Sequence, residues 1–349
     1  MELELKYRVP CRAVLEQLVA GAALEWREIA METVYYDTPD RALGARRWTL
    51  RLRREGGVPV LCCKTPGGTV HGVQARGEWE CPGDDPAAGI ARLVRLGAPA
   101  ELAELAADGL VPLCGARFTR RAARVRLDGA EAELAADCGV LTGGGWAMPF
   151  FELEAEHKAG DPAVSIACGE ALVRRYGLEA EPRSKFQRAF ALCGREAVCV
   201  QAAPAEAGAV HDLVQRSIQA VYPRCYPAQA VDFFRALHSP EAIAADVAAG
   251  EVLLLRVDGS LAATASRRGH HVSRLYVDPA WAGQGCGGYL MDRLEAEIAG
   301  EGGAARVEAS LPAAHFYERR GYRTIAHRSL PLADGAVLVY EEMEKAWNG

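Results

Sequence analysis

Residues 2–6 read ELELK, so that Glu2, Glu4 and Lys6 are separated by single leucines. Successive side chains of a β-strand point to opposite faces, and a strand here would carry three charges on one face and leucine on the other. Strands of soluble proteins usually bury the apolar face and leave the polar face in water. Whether this charged face meets water or a ligand depends on how often the pattern recurs along the chain.

The alternation of like charges recurs several times within the first 195 residues. It is found at Arg51 and Arg53, at Glu78 and Glu80, at Glu131 and Glu133, and at Glu152, Glu154 and Glu156. One such strand is usually a solvated surface, but several together favour a closed β-barrel with a charged interior. Buried lysines and arginines require an anion, and clustered carboxylates require a divalent cation. A polyphosphate with Mg²⁺ or Mn²⁺ satisfies both requirements.

Length and composition indicate a soluble protein of two domains. The chain has 349 residues, of which 50% are hydrophobic and 25% charged, and its net charge of −6 gives no reason to expect nucleic acid as a partner. No apolar run approaches the roughly 18–20 residues of a membrane helix, and the N-terminus does not resemble a secretory signal. The 11 cysteines contain no CxxC pair, which favours free thiols in a reduced, cytoplasmic protein.

The pattern of secondary-structure signals changes near residue 197. Strands dominate before it, with helices expected only near 88–107 and 161–176. The second helix has Asp161 as its N-cap, Pro162 in its first turn and Gly177 as its stop. Helical and strand patterns alternate after it, as is typical of an α/β or α+β domain. We therefore expect two domains, residues 1–195 and residues 197–349.

The first domain resembles the CYTH superfamily, the triphosphate tunnel metalloenzymes. ELELK is similar to the ExExK signature of this family. Later blocks follow in the family's order: YYDTPD (35–40), LRLR (50–53), LCCKTP (61–66), RGEWE (76–80), FTRRAARVRLDGAEAELAADCG (118–139), FELE (151–154) and RSKFQRA (183–189). The resemblance implies an eight-stranded antiparallel β tunnel with flanking helices, and metal-dependent chemistry on a small-molecule triphosphate.

The resemblance also implies roles for individual residues. The divalent metal, Mg²⁺ or Mn²⁺, would be held by Glu2, Glu4, Glu152, Glu154 and a further carboxylate, for which we predict Asp137 with Glu133 as the open alternative. The phosphate oxygens would be bound by Lys6, Arg51, Arg53, Lys64, Arg121 and Lys185, with Arg117 and Arg120 as alternatives to Arg121. Glu78 and Glu80 would position the attacking water.

Activities in the family include inorganic triphosphatase, thiamine triphosphatase and class IV adenylyl cyclase. Inorganic triphosphate is the first expectation, because no pocket for a base is recognisable in the sequence. A further alternative is a tunnel that senses triphosphate or polyphosphate and regulates the second domain.

In the second domain a strand leads into a glycine-rich turn and an amphipathic helix, SRLYVDPAWAGQGCGGYLMDRLEAEIAG (273–300). The start of such a helix offers free N–H groups and a positive potential to a pyrophosphate. Together with VEASLPAAHFYERRGY (307–322), this segment resembles the GNAT N-acetyltransferases. The resemblance implies an α/β acyltransferase fold with a mixed central sheet, acetyl-CoA as cofactor and an amine as acceptor.

By this resemblance Leu275 and Val277 would bind the pantetheine arm through their backbone. Gln284, Gly285, Gly287 and Gly288 would hold the pyrophosphate. Tyr317 would protonate the departing thiolate, and His271 and Tyr226 are conceivable acceptor-site residues. Ala282 departs from the family's long polar side chain at the start of the loop, and Ser310 stands where an asparagine is common. An inactive interaction domain is therefore the alternative.

Overall fold

The computed structural model describes residues 3–22, 24–70 and 73–347, the side chains of 67–70, 73–76 and 334 excepted. Contacts between Cα atoms divide the chain into two units, Met1–Gly194 and Arg195–Gly349. Within these described ranges no helix combines the length and the apolar character that crossing a bilayer requires. The 11 cysteines are all free thiols.

The first unit is built on one antiparallel sheet. Its strands are β1 (Glu4–Arg8), β2 (Arg27–Asp37), β3 (Thr49–Glu55), β4 (Val58–Val70), β5 (Val73–Pro82), β6 (Val111–Leu127), β7 (Ala130–Gly143), β8 (Trp146–Ala159) and β9 (Glu179–Ala180). Its helices are α1 (Arg12–Gly21), α2 (Ala42–Ala45), α3 (Pro86–Arg95), α4 (Glu101–Leu105), α5 (Pro162–Tyr176) and α6 (Lys185–Cys193). The strand order is β5-β4-β3-β2-β6-β7-β8-β1-β9.

This sheet confirms the predicted tunnel-type fold, with one difference in strand number. Eight strands are antiparallel neighbours, and the ninth, β9, is a two-residue segment that pairs with Tyr7 and Arg8 of β1. In the described part of the chain no ladder joins the end strands β5 and β9. The sequence gives β9 no recognisable signal, because two residues are too few to show an alternation.

The apolar residues that alternate with the charges pack under helices. Leu50, Leu52 and Leu61 lie in one core cluster with Ile90 and Leu93 of α3. A second cluster places leucines of α1 against Leu153 and Ala136 of the sheet. Burying each such side chain stabilises the unit by about 1.5–3 kcal/mol. Helices α1 and α3 therefore cover the leucine-bearing face, and the charges lie on the opposite face.

The helices agree only in part with the sequence analysis. The helix expected at 88–107 is divided into α3 and α4, because Gly97 has a left-handed φ of 103° and Pro99 follows it. Helix α5 begins and ends as predicted, with Asp161 accepting a hydrogen bond from the Ala163 N–H and Gly177 at a φ of 62°. Helices α1, α2 and α6 were not predicted, and α6 carries Lys185.

Helix α6 approaches the sheet closely because two sheet residues have no side chain. A Cβ on Gly143 would lie 2.5 Å from the carbonyl oxygen of Ala189, and one on Gly144 would lie 2.8 Å from the Cα of Cys193. The start of α6 is fixed by a capping box, in which Ser184 accepts from the Gln187 N–H and Gln187 accepts from the Ser184 N–H.

The second unit is a mixed sheet with helices. Its strands are β10 (Ala197–Gln201), β11 (Val252–Val257), β12 (Ser260–Arg268), β13 (His271–Val277), β14 (Ala305–Ser310), β15 (Arg323–Pro331) and β16 (Val337–Lys345). Its helices are α7 (Ala207–Val221), α8 (Ala228–Leu237), α9 (Pro240–Ala248), α10 (Cys286–Gly300) and α11 (Leu311–Arg319). The strand order is β10-β11-β12-β13-β14-β16-β15, and among the strands described here only β13 and β14 pair in parallel. The predicted mixed α/β sheet is confirmed.

Replacing Gly143 by alanine tests the close approach of α6. The new methyl group would push the backbone of α6 away from the sheet, and overpacking of this kind costs about 1–3 kcal/mol. We expect Gly143→Ala to lower the free energy of unfolding of the first unit by this amount, measured by urea denaturation of the full chain. Gly194→Ala is the control, since its Cβ would meet nothing nearer than the Ala191 carbonyl oxygen at 3.9 Å. Equal losses in the two variants would contradict the argument.

Candidate functional site

The strand register places the predicted charges of the first unit on one face of the sheet. Residues directly opposite each other in an antiparallel ladder share a face, and Arg51 lies opposite Cys62, which lies opposite Glu80. The same relation connects the remaining strands. The charged face therefore contains Glu78, Glu80, Lys64, Arg51, Arg53, Arg120, Glu133, Asp137, Glu152, Glu154, Glu4 and Lys6.

Three carboxylates form a cluster at the centre of this charged face. Asp137, Glu152 and Glu154 each offer an oxygen within 4.8 Å of the others. The side chains of Asp137 and Glu152 are 0% exposed, and that of Glu154 is 12% exposed. Glutamate and aspartate are almost never buried to this extent without a partner. The cluster must therefore be matched by positive charge.

Lys185, at the first position of α6, supplies part of that charge. Its Nζ lies 2.8 Å from Oδ2 of Asp137 and 2.8 Å from Oε1 of Glu154, and it also bonds Oε1 of Glu152. Burial alone would lower the pKa of Lys185, but the three carboxylates raise it by more than burial lowers it. The amine is therefore an ammonium ion. One cation therefore bridges all three acids.

Two arginines complete the ion pairs. Arg120 of β6 donates from Nε and Nη2 to the two oxygens of Asp137, both at 2.8 Å, and from Nη2 to Oε2 of Glu154 at 2.5 Å. Arg188 of α6 donates to Oε2 of Glu152 and lies over the ring of Phe150. Charge-assisted, bidentate pairs of this kind are the strongest hydrogen bonds in proteins.

The pKa values of the two glutamates of the cluster are shifted in opposite directions. Burial raises the pKa of Glu152 above its usual value. Burial also acts on Glu154, but the charges of Lys185 and Arg120 outweigh it and hold the pKa of Glu154 below its usual value. Nearby positive charge and desolvation thus compete within one site, with different results at neighbouring carboxylates.

The N-terminal strand adds two charges beside the cluster. Lys6 Nζ lies 3.6 Å from Oε1 of Glu154 and 3.9 Å from Oε1 of Glu4. Burial and the charge of Glu154 raise the pKa of Glu4. Glu2, the other carboxylate expected from this strand, lies outside the described residues.

A second group of charges lies on β3, β4 and β5. Lys64 Nζ is 2.8 Å from Oε2 of Glu78, and Arg53 Nη2 is 3.4 Å from Oε1 of Glu80. Arg51 Nη2 lies 4.0 Å from Oε1 of Glu78, and its Nε is buried with no hydrogen-bond partner among the described residues. A cationic donor without a partner on this part of the charged face is suited to bind an oxyanion ligand.

In the second unit, the residues predicted to bind a cofactor lie where two parallel strands separate. β13 and β14 pair only at His271–Arg306 and Val272–Val307, although β13 continues to Val277. Leu275 and Val277 are half-buried beyond the last pair. The Val277 carbonyl accepts a hydrogen bond from the Ser217 hydroxyl at 2.9 Å, so that one backbone group at this edge is occupied.

The glycine-rich loop leads directly into α10. Gly285 is the N-cap residue with a φ of 90°, a conformation that glycine adopts without strain, and Gly287 and Gly288 lie in the first turn. The Gln284 side chain donates to the Ala280 carbonyl at 2.9 Å and accepts from Arg195 Nη2 at 3.0 Å. Gln284 thus stabilises the loop through its side chain, and its partner Arg195 carries no recognisable signal in the sequence.

Tyr317 of α11 is buried, and desolvation raises its pKa well above the usual value. Near it, the Tyr222 hydroxyl donates a hydrogen bond to the Ser310 hydroxyl at a distance of 3.3 Å. Tyr226, expected as an acceptor-site residue, accepts from the Leu311 N–H at 2.8 Å and donates to the Val339 carbonyl at 3.1 Å. His271 begins β13 and is half-buried.

Comparison with known proteins identifies both units. Residues 1–189 match the family model described as the CYTH domain. The chain belongs to the CYTH family. Residues 223–343 match the model described as the acetyltransferase (GNAT) domain, so the second unit carries a GNAT domain.

Individual relatives are more distant. The chain is 27% identical over 198 residues to an inorganic triphosphatase of Haemophilus influenzae, a match that spans 56% of each protein. A GCN5-related N-acetyltransferase from Rhodopseudomonas palustris is 25% identical, with 43% of this chain and 95% of that chain covered and a TM-score of 0.40. A candidate adenylyl cyclase from Hippeastrum with a dominant triphosphatase activity is 21% identical, with 55% and 97% covered and a TM-score of 0.39.

One predicted residue of the CYTH unit does not reach the charged face. Arg121 lies on the opposite face of β6, where it donates to both oxygens of Glu16 of α1 at 2.6 and 2.7 Å. Neighbouring residues of a strand point to opposite sides, and Arg120, one of the two alternatives, takes the inner position. Arg117, the other alternative, is exposed.

The remaining ambiguity of the CYTH unit concerned Asp137 and Glu133. Both belong to the charged face, but Glu133 lies opposite Arg124 and Glu156, away from the cluster. Arg188 was missed altogether, although the Ser184–Gln187 capping box is a sequence signal for the helix that carries it. The donor set of the cluster is entirely carboxylate oxygen, which suits a hard divalent cation such as Mg²⁺ or Mn²⁺.

Neutralising Asp137 tests the ion-pair cluster without reference to activity. Asp137→Asn leaves Lys185 and Arg120 short of a buried counter-charge, and breaking a buried pair in this way costs about 3–5 kcal/mol. We expect a loss of that size in the free energy of unfolding of the CYTH unit, measured by urea denaturation in the presence of EDTA.

Glu131→Gln, on the same strand, is the matched control. Glu131 pairs with the exposed Arg124 and Arg126 at 3.5 and 3.2 Å, and such surface pairs contribute up to about 1 kcal/mol. If Asp137→Asn were no more destabilising than Glu131→Gln, the cluster would not be a structural ion-pair site.

Proposed function

We propose that the CYTH unit hydrolyses the terminal phosphate of a triphosphate with the help of a divalent cation, and that inorganic triphosphate is its substrate. The observation that carries the proposal is the charged face itself, where a buried carboxylate cluster adjoins the cations of β1, β3 and β4. The similarity to an inorganic triphosphatase of Haemophilus influenzae supports the same reaction.

Asp137, Glu152 and Glu154 are the residues that would hold the cation, with Glu4 beside them. Such an ion would neutralise charge on the phosphate oxygens and make the phosphorus more open to attack. Because all three donors are carboxylates, Mg²⁺ or Mn²⁺ is the expected cation.

The side-chain cations bind and orient the phosphate chain. Lys6, Arg51 and Arg53 lie on the charged face as charge-assisted donors, joined by Lys64 and Arg120. Charge spreads over the oxygens of the phosphoryl group that is transferred, and fixed positive charges stabilise that distribution without moving. Water attacks the terminal phosphorus as the bond from that phosphorus to the bridging oxygen breaks. Orthophosphate forms, diphosphate leaves, and the proton that the water loses passes to a phosphate oxygen of the products.

Glu78 and Glu80 are proposed to orient the attacking water. Lys64 and Arg53 hold the two carboxylates on β5, so their oxygens are fixed beside the phosphate-binding residues. This arrangement requires no covalent nucleophile from the protein.

An organic triphosphate is the second candidate substrate, because an aromatic stack begins beside the phosphate-binding residues. The Tyr35 ring lies 4.9 Å from that of Phe186, which stacks at 5.6 Å on the exposed Phe190, and Arg41 covers the Phe190 ring. A planar base or thiazolium could replace Arg41 on that ring.

Comparing hydrolysis of inorganic triphosphate, thiamine triphosphate and ATP separates the candidates, and mass analysis of the ATP products separates hydrolysis from cyclisation. Tight binding without turnover would favour a sensor of triphosphate.

We propose that the GNAT unit transfers an acetyl group from acetyl-CoA to an amine. The N-terminus of α10 would bind the pyrophosphate through backbone N–H groups, and Leu275 and Val277 would bind the pantetheine arm. Tyr317 would protonate the departing thiolate. The phenol of Tyr317 carries a proton at neutral pH, since its usual pKa is near 10 and burial raises that pKa.

Exchanging the two adjacent arginines of β6 for methionine tests the triphosphatase site. Arg120→Met removes a donor from the charged face, and losing one donor to developing charge lowers kcat by roughly 10²–10³. Arg121→Met removes an equally charged side chain from the outer face, and its kcat should stay within about twofold of the parent value. Phosphate release from inorganic triphosphate at saturating Mg²⁺ is the measurement. Equal losses would contradict the assignment, and EDTA should abolish release in the parent protein.

Placing a carboxylate at either end of α10 tests the acetyl-CoA site. Gly288→Asp puts a negative charge where the pyrophosphate would bind, and we expect the Kd for acetyl-CoA in isothermal titration to rise at least about tenfold. Gly300→Asp makes the same change at the other end of the helix and should alter the Kd less than about twofold. Failure of the parent protein to bind millimolar acetyl-CoA would favour an interaction domain instead.

A further inference from the structure

Every oxygen of the carboxylate cluster formed by Asp137, Glu152 and Glu154 accepts a bond from a cation. Arg120 binds both oxygens of Asp137 and Oε2 of Glu154, and Arg188 binds Oε2 of Glu152. Lys185 binds Oδ2 of Asp137 and Oε1 of both glutamates. Every oxygen that a divalent cation could bind in this cluster therefore already faces a positive charge, which opposes its entry until one of the present cations moves away.

The three cations differ in what their departure would release. Holding a metal between three carboxylates requires one oxygen from each. Moving Arg120 would release oxygens of Asp137 and Glu154 only, and moving Arg188 would release one oxygen of Glu152 only. Among the cations that the structure describes at this cluster, Lys185 alone contacts one oxygen of every carboxylate.

We propose that Lys185 is the exchangeable counter-ion of the divalent-cation site, so that its ammonium group and the metal compete for the same three oxygens. The proposal rests on the proposed function for the identity of the incoming cation. Lys185 is suited to this exchange because its charge sits on a flexible four-carbon stem, whereas the planar guanidinium of Arg120 is fixed by two parallel bonds to Asp137.

The balance of charge explains why a counter-ion is needed. When ionised, the three carboxylates carry three negative charges, and Lys185, Arg120 and Arg188 carry three positive ones. Two of the carboxylates are fully buried, where unpaired charge is costly. The ammonium therefore maintains the fold of the cluster whenever the cation is not bound.

The exchange has a consequence for triphosphate binding. A divalent cation in place of an ammonium adds one positive charge to the cluster, and the released ammonium adds another to the charged face. Both changes favour a polyanion, so the cation and the triphosphate should bind with positive coupling. Lys185 would then contact phosphate oxygens only after the metal has displaced it.

Titration of the full chain with Mn²⁺ in the absence of triphosphate, followed by the EPR signal of the free ion, tests the proposal. Removing a competitor that occupies the binding-competent oxygens raises the apparent affinity, and we expect Lys185→Met to lower the Kd for Mn²⁺ at least about tenfold. Lys185→Gln, which keeps hydrogen-bond donors, should lower it in the same direction if the methionine variant does not fold. Lys185→Arg keeps the charge and should not bind Mn²⁺ more tightly than the parent protein.

Lys64→Met is the matched control, because it removes the same charge from the charged face while contacting Glu78 instead of the cluster. Its Kd for Mn²⁺ should change less than about threefold, since a charge outside the cluster competes for none of its oxygens. Unchanged or weaker Mn²⁺ binding in both the methionine and glutamine variants, or an equal gain in Lys64→Met, would overturn the proposal.

A kinetic signature separates this proposal from the proposed function. In Lys185→Met the Mn²⁺ concentration for half-maximal hydrolysis should fall while the KM for triphosphate rises, a pair of opposite shifts that general loss of structure does not produce. If the parent protein hydrolysed no triphosphate, the proposed function would fail, and the Mn²⁺ titration would still decide the role of Lys185.

Discussion

The carboxylates of Asp137 and Glu152 are fully buried, and the rest of the CYTH unit has to supply the positive charge that they require. Unpaired, each would cost several kcal/mol, so positive charge has to be brought to a region that water does not reach. Strand β6 places the guanidinium of Arg120 opposite Asp137. Helix α6 contributes the ammonium of Lys185 and the guanidinium of Arg188. That helix can approach only because Gly143 and Gly144 leave room for its backbone.

Alternation along the strands was the part of this site that the sequence could predict. Charges two residues apart share a face whatever the register, which is why Arg51 with Arg53 and Glu152 with Glu154 were recognised together. Arg120 and Arg121 could not be separated in this way, because adjacent residues face opposite sides and either could be the inner one. Their assignment required the pairing of β6 with β7, which sets Arg120 beside Asp137.

The choice between Asp137 and Glu133 could not be made securely from the sequence, for the opposite reason. Both have the same parity on β7 and both lie on the charged face, so alternation cannot distinguish them. What distinguishes them is position along the strand: Asp137 is level with Glu152, while Glu133 is level with Glu156. Which residues are level with each other depends on how a strand pairs with distant parts of the chain. Helix α6 was hard to predict for another reason, because it is only nine residues long and a short helix gives a weak sequence signal.

The two units are proposed to bind phosphate-containing anions by different physical means. The CYTH unit would use side-chain cations that, without a ligand, are paired with its own carboxylates, as Lys185 is with the cluster and Lys64 with Glu78. The GNAT unit would use backbone N–H groups at the start of α10, which need no counter-ion because the peptide is neutral. Triphosphate binding in the first unit would therefore break existing ion pairs, whereas pyrophosphate binding in the second would use neutral backbone groups and break none. We therefore expect a divalent-cation requirement in the CYTH unit and none in the GNAT unit.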